Sequence, residues 1–91
     1  MKAYELLSNP LNWNKGNYAS DQFGHPVLTN SPLAVKFCII GAVYKCYNDD
    51  ENMEAVYRKL VEACEGNPTG WNDRPDRTHS QVIALLKDLD I

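Results

Sequence analysis

The sequence lacks the features that mark several large classes of protein. It has no hydrophobic run approaching the roughly 18 residues that cross a membrane, and no apolar segment of a secretion signal near its start. Nine basic against twelve acidic residues leave a net charge of −3, without any run of Lys or Arg. General nucleic-acid binders usually carry a basic face that pairs with phosphates. We therefore expect a cytoplasmic protein that binds neither membranes nor nucleic acids in general.

Cysteine is also scarce. Cys38, Cys46 and Cys64 are an odd number without close spacing, which argues against a disulfide framework. We expect reduced thiols in an apolar core. Neither they nor the two histidines form a CxxC or HxxxH spacing. The acidic run at residues 49–51 lacks the alternating ligands of a calcium loop, and indicates a solvated helix start. The sequence therefore predicts no metal site and no cofactor.

The first third of the chain is mostly irregular. Residues 2–9 predict a short first helix, which Pro10 ends. Residues 10–31 are then rich in Asn, Gly, Pro and Ser and show no helical period. Within them, residues 18–20 and 26–29 are expected to pair as a small hairpin across a turn.

A strongly apolar stretch predicts the second helix. Ser31 is a good N-cap and Pro32 suits the first helical position. Residues 33–47 are apolar on every side, which predicts a buried helix. Gly41 inside it costs about 1 kcal/mol against Ala, so we expect another element to approach closely there.

Two amphipathic helices follow. The third is predicted over residues 50–65, ended by Gly66, with Pro68 preventing its resumption. The fourth begins at Thr78, because Thr78 and Gln81 form the pattern of a capping box.

These elements predict a mostly α fold. We expect residues 1–91 to form one compact four-helix domain, with the irregular region and a small hairpin after the first helix. We expect the first helix to pack beside the fourth, because both termini of so small a domain need burial.

The richest chemistry lies in residues 71–78, here called the C-terminal motif. It holds a Trp, four charges, an amide and a hydroxyl. One interpretation is structural, with turn bonds, a core Trp and a helix cap, and it is the favoured one. The other is a recognition loop for a nucleotide-like anion, made by guanidinium groups and a helix N-terminus. The candidate ligand-binding residues are Trp71, Asn72, Asp73, Arg74, Arg77 and Thr78.

Other side chains suggest weaker alternatives. Cys38 with His25 or His79 is the pair of residue types that a thiol enzyme uses, in which the imidazole activates the thiol. However, a Cys inside an apolar helix is expected to have a raised pKa and to be inert. No catalytic residue is assigned. Trp13 and Tyr18 lie in a polar loop, and exposed aromatic residues are enriched at protein interfaces.

With these motifs placed, the chain resembles a family of small bacterial and phage proteins of unknown function. The resemblance covers nearly the whole chain, and its most specific part is the motif Trp-Asn-Asp-x-Pro-x-Arg-Thr. It implies a shared fold and supplies no activity. The matching positions are Trp13, Gly16, Asp21 and Gly24, then residues 37–42, and finally residues 71–86. One position departs from the family pattern: the family usually has a basic residue just before Asp21, and this chain has Ser20.

Three functions remain open. The leading hypothesis is a non-enzymatic protein-interaction module, phage-encoded in one reading, that binds another protein or itself. The alternative is a binder of a nucleotide-like anion at the C-terminal motif. The second alternative is a thiol enzyme that uses Cys38.

Overall fold

The computed structural model describes all residues, 1–91, and is mostly helical, as predicted. It contains five α-helices, three of them longer than six residues, where the sequence predicted four. The helices are α1 (Ala3–Leu6), α2 (Ile39–Tyr47), α3 (Met53–Ala63), α4 (Pro68–Asp73) and α5 (His79–Leu89). A 3-10 turn (Pro10–Asn12) and two short strands, β1 (Ala19–Ser20) and β2 (Lys36–Phe37), lie between α1 and α2. None of the helices combines the length and the apolar character needed to cross a membrane.

The two ends of the chain pack together. Helix α1 lies against both α2 and α5, and the N–H of Ala3 donates to the carbonyl of Ile91, whose side chain is buried. The Tyr47 hydroxyl donates to the same carbonyl at 2.9 Å, and Lys2 Nζ reaches the carbonyl of Asp90 at 2.8 Å. The predicted packing of the first helix beside the last is therefore seen.

The strand pairing differs from the predicted hairpin. Strand β1 pairs antiparallel with β2, in the register Ala19 to Phe37 and Ser20 to Lys36. The predicted partner is reduced to a bridge between Ser20 and Pro26 and one bond from Val27 N–H to the Ala19 carbonyl, 3.1 Å. Proline has no N–H to extend a ladder, so the more distant β2 completes the bonds of this buried strand.

The second helix begins later than predicted. Ser31 and Pro32 do not start it; they form a turn in which the Ala34 N–H donates to the Ser31 carbonyl at 3.1 Å. Helix α2 begins at Ile39, with Cys38 as its N-cap. The prediction was wrong because an apolar run cannot by itself distinguish a buried strand from a buried helix, and β2 takes the first part of this run.

The third helix is shorter than predicted, and a new helix follows it. It ends at Ala63, and Gly66, at φ +88, donates its N–H back to the Val61 carbonyl at 2.8 Å. Pro68 does not end helical structure but begins α4, where its missing N–H costs nothing. Asn67 caps this helix by accepting from the Gly70 N–H at 3.0 Å. The first half of the C-terminal motif is consequently helical.

Helix α5 carries the predicted capping box. Thr78 Oγ1 accepts from the Gln81 N–H at 3.2 Å, and Gln81 Oε1 accepts from the Thr78 N–H at 2.9 Å. Both bonds satisfy N–H groups that the first turn of a helix leaves unpaired.

One apolar core of fifteen buried residues joins the helices, and α2 supplies much of it. The close approach predicted at Gly41 is confirmed, since a Cβ there would overlap the carbonyl of Tyr18. The three cysteines are free; Cys38 and Cys64 are buried, and Cys46 is half-buried.

Candidate functional site

The side chain of Asn72 is the centre of the polar structure. It is fully buried on α4, at 0% exposure. Its Oδ1 accepts from Trp13 Nε1 at 2.7 Å and from the Ile39 N–H at 2.9 Å. Its Nδ2 donates to the Asn14 carbonyl at 3.1 Å and to Asp73 Oδ1 at 2.9 Å. Both amide hydrogens and two acceptor positions of the side chain are thus used.

These four bonds tie three parts of the chain together. The Ile39 N–H belongs to the first turn of α2, where N–H groups have no partner inside the helix. Trp13 and Asn14 belong to the segment after the 3-10 turn. Asn72 therefore holds α4, that segment and the start of α2 in a fixed arrangement.

The next residues of the motif hold the same segment from outside. Asp73 Oδ1 accepts from the Gly16 N–H at 3.1 Å. Lys15 Nζ donates to the Arg74 carbonyl at 2.7 Å and lies 5.5 Å from the centre of the Trp13 ring. Asp73 and the backbone of Arg74 therefore pack the end of α4 against the segment after the 3-10 turn.

The aromatic and cationic groups of the motif are also paired with each other. The guanidinium of Arg77 lies 3.7 Å from the centre of the Trp71 ring, and its Nε donates to the Trp71 carbonyl at 2.8 Å. Arg74 forms an exposed ion pair with Asp76 at 3.3 Å. Trp71 and both arginines line a cleft of about 480 Å³, here called the arginine cleft, with Cys64 and Glu65 among its other walls.

The structure therefore brings all six candidate ligand-binding residues to one region of the fold. The side chains of Asn72, Asp73 and Thr78 form hydrogen bonds within the protein. Arg74 and Arg77 line the arginine cleft, and each guanidinium also bonds within the protein, Arg74 to Asp76 and Arg77 to the Trp71 carbonyl.

The thiol of Cys38 is placed unfavourably for nucleophilic chemistry. It is buried, and burial raises its pKa, which disfavours the thiolate. Its Sγ accepts from the Gly41 N–H at 3.4 Å as a helix cap. Neither histidine is bonded to it, because His25 pairs with Asp21 at 3.4 Å and His79 Nε2 lies 2.6 Å from the Leu7 carbonyl.

The other thiols and the acidic groups form no second centre. Burial raises the pKa of Cys64 to about 11 and also raises the pKa of Cys46. No three His, Cys, Asp or Glu side chains lie close enough together to hold a metal ion.

The two aromatic residues proposed for an interface lie in different environments. Trp13 is half-buried against the core, and its indole N–H is bonded to Asn72. Tyr18 is 49% exposed. Its ring meets that of Tyr44 edge-on, with 5.8 Å between the ring centres.

The structure also shows an exposed apolar surface that sequence reasoning missed. Phe23, Pro32, Leu33 and Val35 line one shallow groove and are here called the apolar patch. Phe23 is 74% exposed and Leu33 63%. The helix predicted over residues 33–47 would have buried Leu33 and Val35. A Pro-Leu pair beside a turn-forming Ser is the signal that could have suggested a surface loop.

A second groove, of about 450 Å³, lies between the irregular region and the end of α2. We call it the aromatic groove. Its apolar walls are Tyr18, Val27, Leu28, Tyr44 and Met53, and its polar walls are Thr29, Asn30, Asn48 and Asp49. Burial raises the pKa of the Tyr44 hydroxyl.

Fold and site together define a small, mostly helical domain whose most connected polar cluster, around Asn72, holds the fold. The chain belongs to the family described as "Family of unknown function (DUF6197)", whose model matches residues 1–89. This confirms that the chain resembles a family of unknown function. No curated protein and no solved structure matches the chain.

Proposed function

We propose that this domain is a non-enzymatic protein-interaction module and that the apolar patch is its contact surface. One observation carries the proposal. Of the eight large hydrophobic side chains that are exposed, five lie between residues 18 and 35, and three of these belong to the patch. Apolar surface left in water forgoes about 25 cal/mol per Å² of stabilisation, and clustered exposure of this kind marks interaction sites more often than scattered exposure does.

The distribution of polar chemistry also supports this proposal. The groups that would serve catalysis are engaged elsewhere: the Cys38 thiol caps α2, and the Asn72 amide joins three segments. An interaction module needs a stable scaffold and a contact surface, and the domain provides both without an activated nucleophile.

Photo-crosslinking tests the proposal directly. A benzophenone amino acid is placed at Phe23 or Leu33 in the cells that make the protein. Leu11 is the matched control, because it is as exposed as Phe23, at 74%, and lies outside the patch. We expect protein adducts from both patch positions, either with another protein or with a second copy, and none from Leu11. Equal labelling at Leu11, or no adduct at either patch position, would contradict the proposal.

A second candidate function is the binding of a nucleotide-like anion in the arginine cleft. It is favoured by one observation, the presence of both Arg74 and Arg77 in the same cleft beside Trp71. Thermal-shift measurements with ATP and with tripolyphosphate test it. A rise in Tm that is lost in Arg74→Ala would support this function, and the absence of a shift at millimolar anion would end it.

We also propose a cytoplasmic location and a bacterial or phage origin. The three free cysteines support the first, because disulfides are rare in reducing compartments. The second is supported by the resemblance of the Trp-Asn-Asp-x-Pro-x-Arg-Thr motif to that of small bacterial and phage proteins.

A further inference from the structure

The aromatic groove is lined by two tyrosine rings and a single formal charge. Tyr18 and Tyr44 meet at an interplanar angle of 60°, and Tyr44 stacks on Tyr57 with 6.2 Å between ring centres. Asp49 is the one charged residue in the lining, and no Lys, Arg or His lines the groove. An anion would meet the Asp49 carboxylate without any compensating cation.

The end of α2 adds to the negative potential of the groove. Tyr44 and Asn48 lie at that end of the helix and form part of the wall of the groove. The carbonyls of Tyr44, Lys45 and Cys46 accept no backbone N–H from the residues after the helix, since the Asp50 N–H bonds the Tyr47 carbonyl instead. A helix C-terminus carries about half a negative charge on such unpaired carbonyls, so it attracts a cation.

The polar walls of the groove have not been used by the fold. Thr29, Asn30, Asn48 and Asp49 make no side-chain hydrogen bond within the protein, and the protein's four ion pairs leave Asp49 out. The C-terminal motif shows the opposite state, with its amide, carboxylate and hydroxyl groups engaged internally. The groove therefore retains acceptors and apolar faces that a ligand can satisfy.

We propose that the aromatic groove binds the cationic side chain of a lysine or arginine of the partner protein, with the alkyl stem against Tyr18 and Tyr44 and the charged head near Asp49. Aromatic faces attract such cations through the ring quadrupole, and the long apolar stem suits the walls made by Leu28 and Met53. This inference rests on the proposed function for the source of the side chain. The groove's preference for a cation is a property of this chain alone.

A titration of the purified, isotope-labelled chain measures that preference. The probes are N-acetyl-lysine methylamide and its uncharged counterpart, N-acetyl-norleucine methylamide, followed by NMR amide shifts. We expect the lysine probe to shift the signals of Tyr18, Tyr44 and Asp49, and to bind about two- to fivefold more tightly than the norleucine probe, the range of one exposed cation–π contact. The difference should shrink as salt is added, because exposed charges are screened.

Two variants locate the effect. Asp49 has a left-handed backbone, at φ +61, and Asn also adopts this conformation readily, so Asp49→Asn removes the charge without straining the turn. We expect it to weaken the lysine probe about twofold, as for the loss of one exposed ion pair, and to leave the norleucine probe unchanged. Asp88→Asn is the control, because it removes the same charge from an exposed carboxylate outside the groove, and it should have no effect. Tyr18→Leu, which keeps an apolar wall without a π-face, should weaken the lysine probe as well.

Three results would overturn the proposal. The first is equal affinity for the two probes. The second is the absence of any shift of groove signals at about 50 mM lysine probe, a concentration chosen for weak, millimolar binding. The third is an equal effect of Asp49→Asn and Asp88→Asn. None of them bears on crosslinking at Phe23 and Leu33, so a failed groove and a failed interaction module are told apart.

Discussion

The C-terminal motif and the segment of residues 18–35 differ in how their side chains are used. The motif has the greater density of functional groups, yet Asn72, Asp73 and Thr78 bond within the protein and Arg77 stacks on Trp71. The segment has a lower density of such groups, but it exposes large apolar side chains and borders two grooves.

The difference separates two meanings of a conspicuous sequence motif. A buried polar group needs hydrogen-bond partners, so the fold must surround it with specific residues. A distinctive motif can therefore record a demand of the fold and not of a ligand. We propose that binding occurs where side chains are left exposed or unsatisfied, and these lie in the segment of residues 18–35 and in the aromatic groove that it borders.

The largest expected effect is on the motif side of this comparison. Asn72→Ala should destabilise the domain by about 4 kcal/mol, because Trp13 Nε1–H and the Ile39 N–H would be left without their acceptor. That loss is a large part of the about 5–10 kcal/mol expected for a domain of this size. Urea denaturation measures it. Asn30→Ala, at an exposed position without internal bonds, is the control and should change little. Similar stability of the two variants would contradict the structural role of the motif.

A smaller loss is expected at Trp71. The ring is half-buried and covered by Arg77, so Trp71→Ala should cost about 2–3 kcal/mol, below the range for a fully buried aromatic. Thr78→Ala should cost about 1 kcal/mol through loss of the cap. Thr78→Ser keeps the capping hydroxyl and should therefore cost much less than Thr78→Ala. Chemical denaturation gives the order. If Trp71→Ala proved milder than Thr78→Ala, the ring would serve something other than the fold.

The burial of the Cys64 thiol, which lines the arginine cleft, can be tested through its titration. Its folded pKa of about 11 lies above the usual 9.0, so the neutral thiol is favoured in the folded state. Its contribution to stability is complete below pH 9 and is lost as pH rises from 9 to 11, because the unfolded thiol ionises first. The free energy of unfolding should therefore fall less steeply over this window in Cys64→Ala than in the parent. Parallel slopes would indicate that the thiol is not shielded.

The smallest effect on stability is expected on the other side of the comparison. Phe23→Ser and Leu33→Ser remove exposed side chains, so each should change the free energy of unfolding by less than about 0.5 kcal/mol. The same variants should weaken the crosslinks formed from neighbouring patch positions. A loss of stability instead would show that the patch serves the fold, and the contrast between the two regions would disappear.

Local patterns in the sequence predicted a substantial part of the fold. The capping box at Thr78 and Gln81, the amphipathic third helix and the close contact at Gly41 were confirmed. Each rests on interactions within about four residues, or on the conformational cost of one residue, and such effects can be read from the chain directly.

The arrangement of the site was decided by tertiary structure alone. Apolar character in residues 33–47 was evident, but only pairing with β1 makes Lys36–Phe37 a strand and delays α2 to Ile39. The six residues of the C-terminal motif were identified as a group, but the burial of Asn72 depends on Trp13, 59 positions away. Strand pairing and burial join residues distant in the chain, whereas caps and periodicity join neighbours. For that reason the sequence by itself determined where functional side chains are concentrated, and only the folded structure decided which of them are already hydrogen-bonded within the protein.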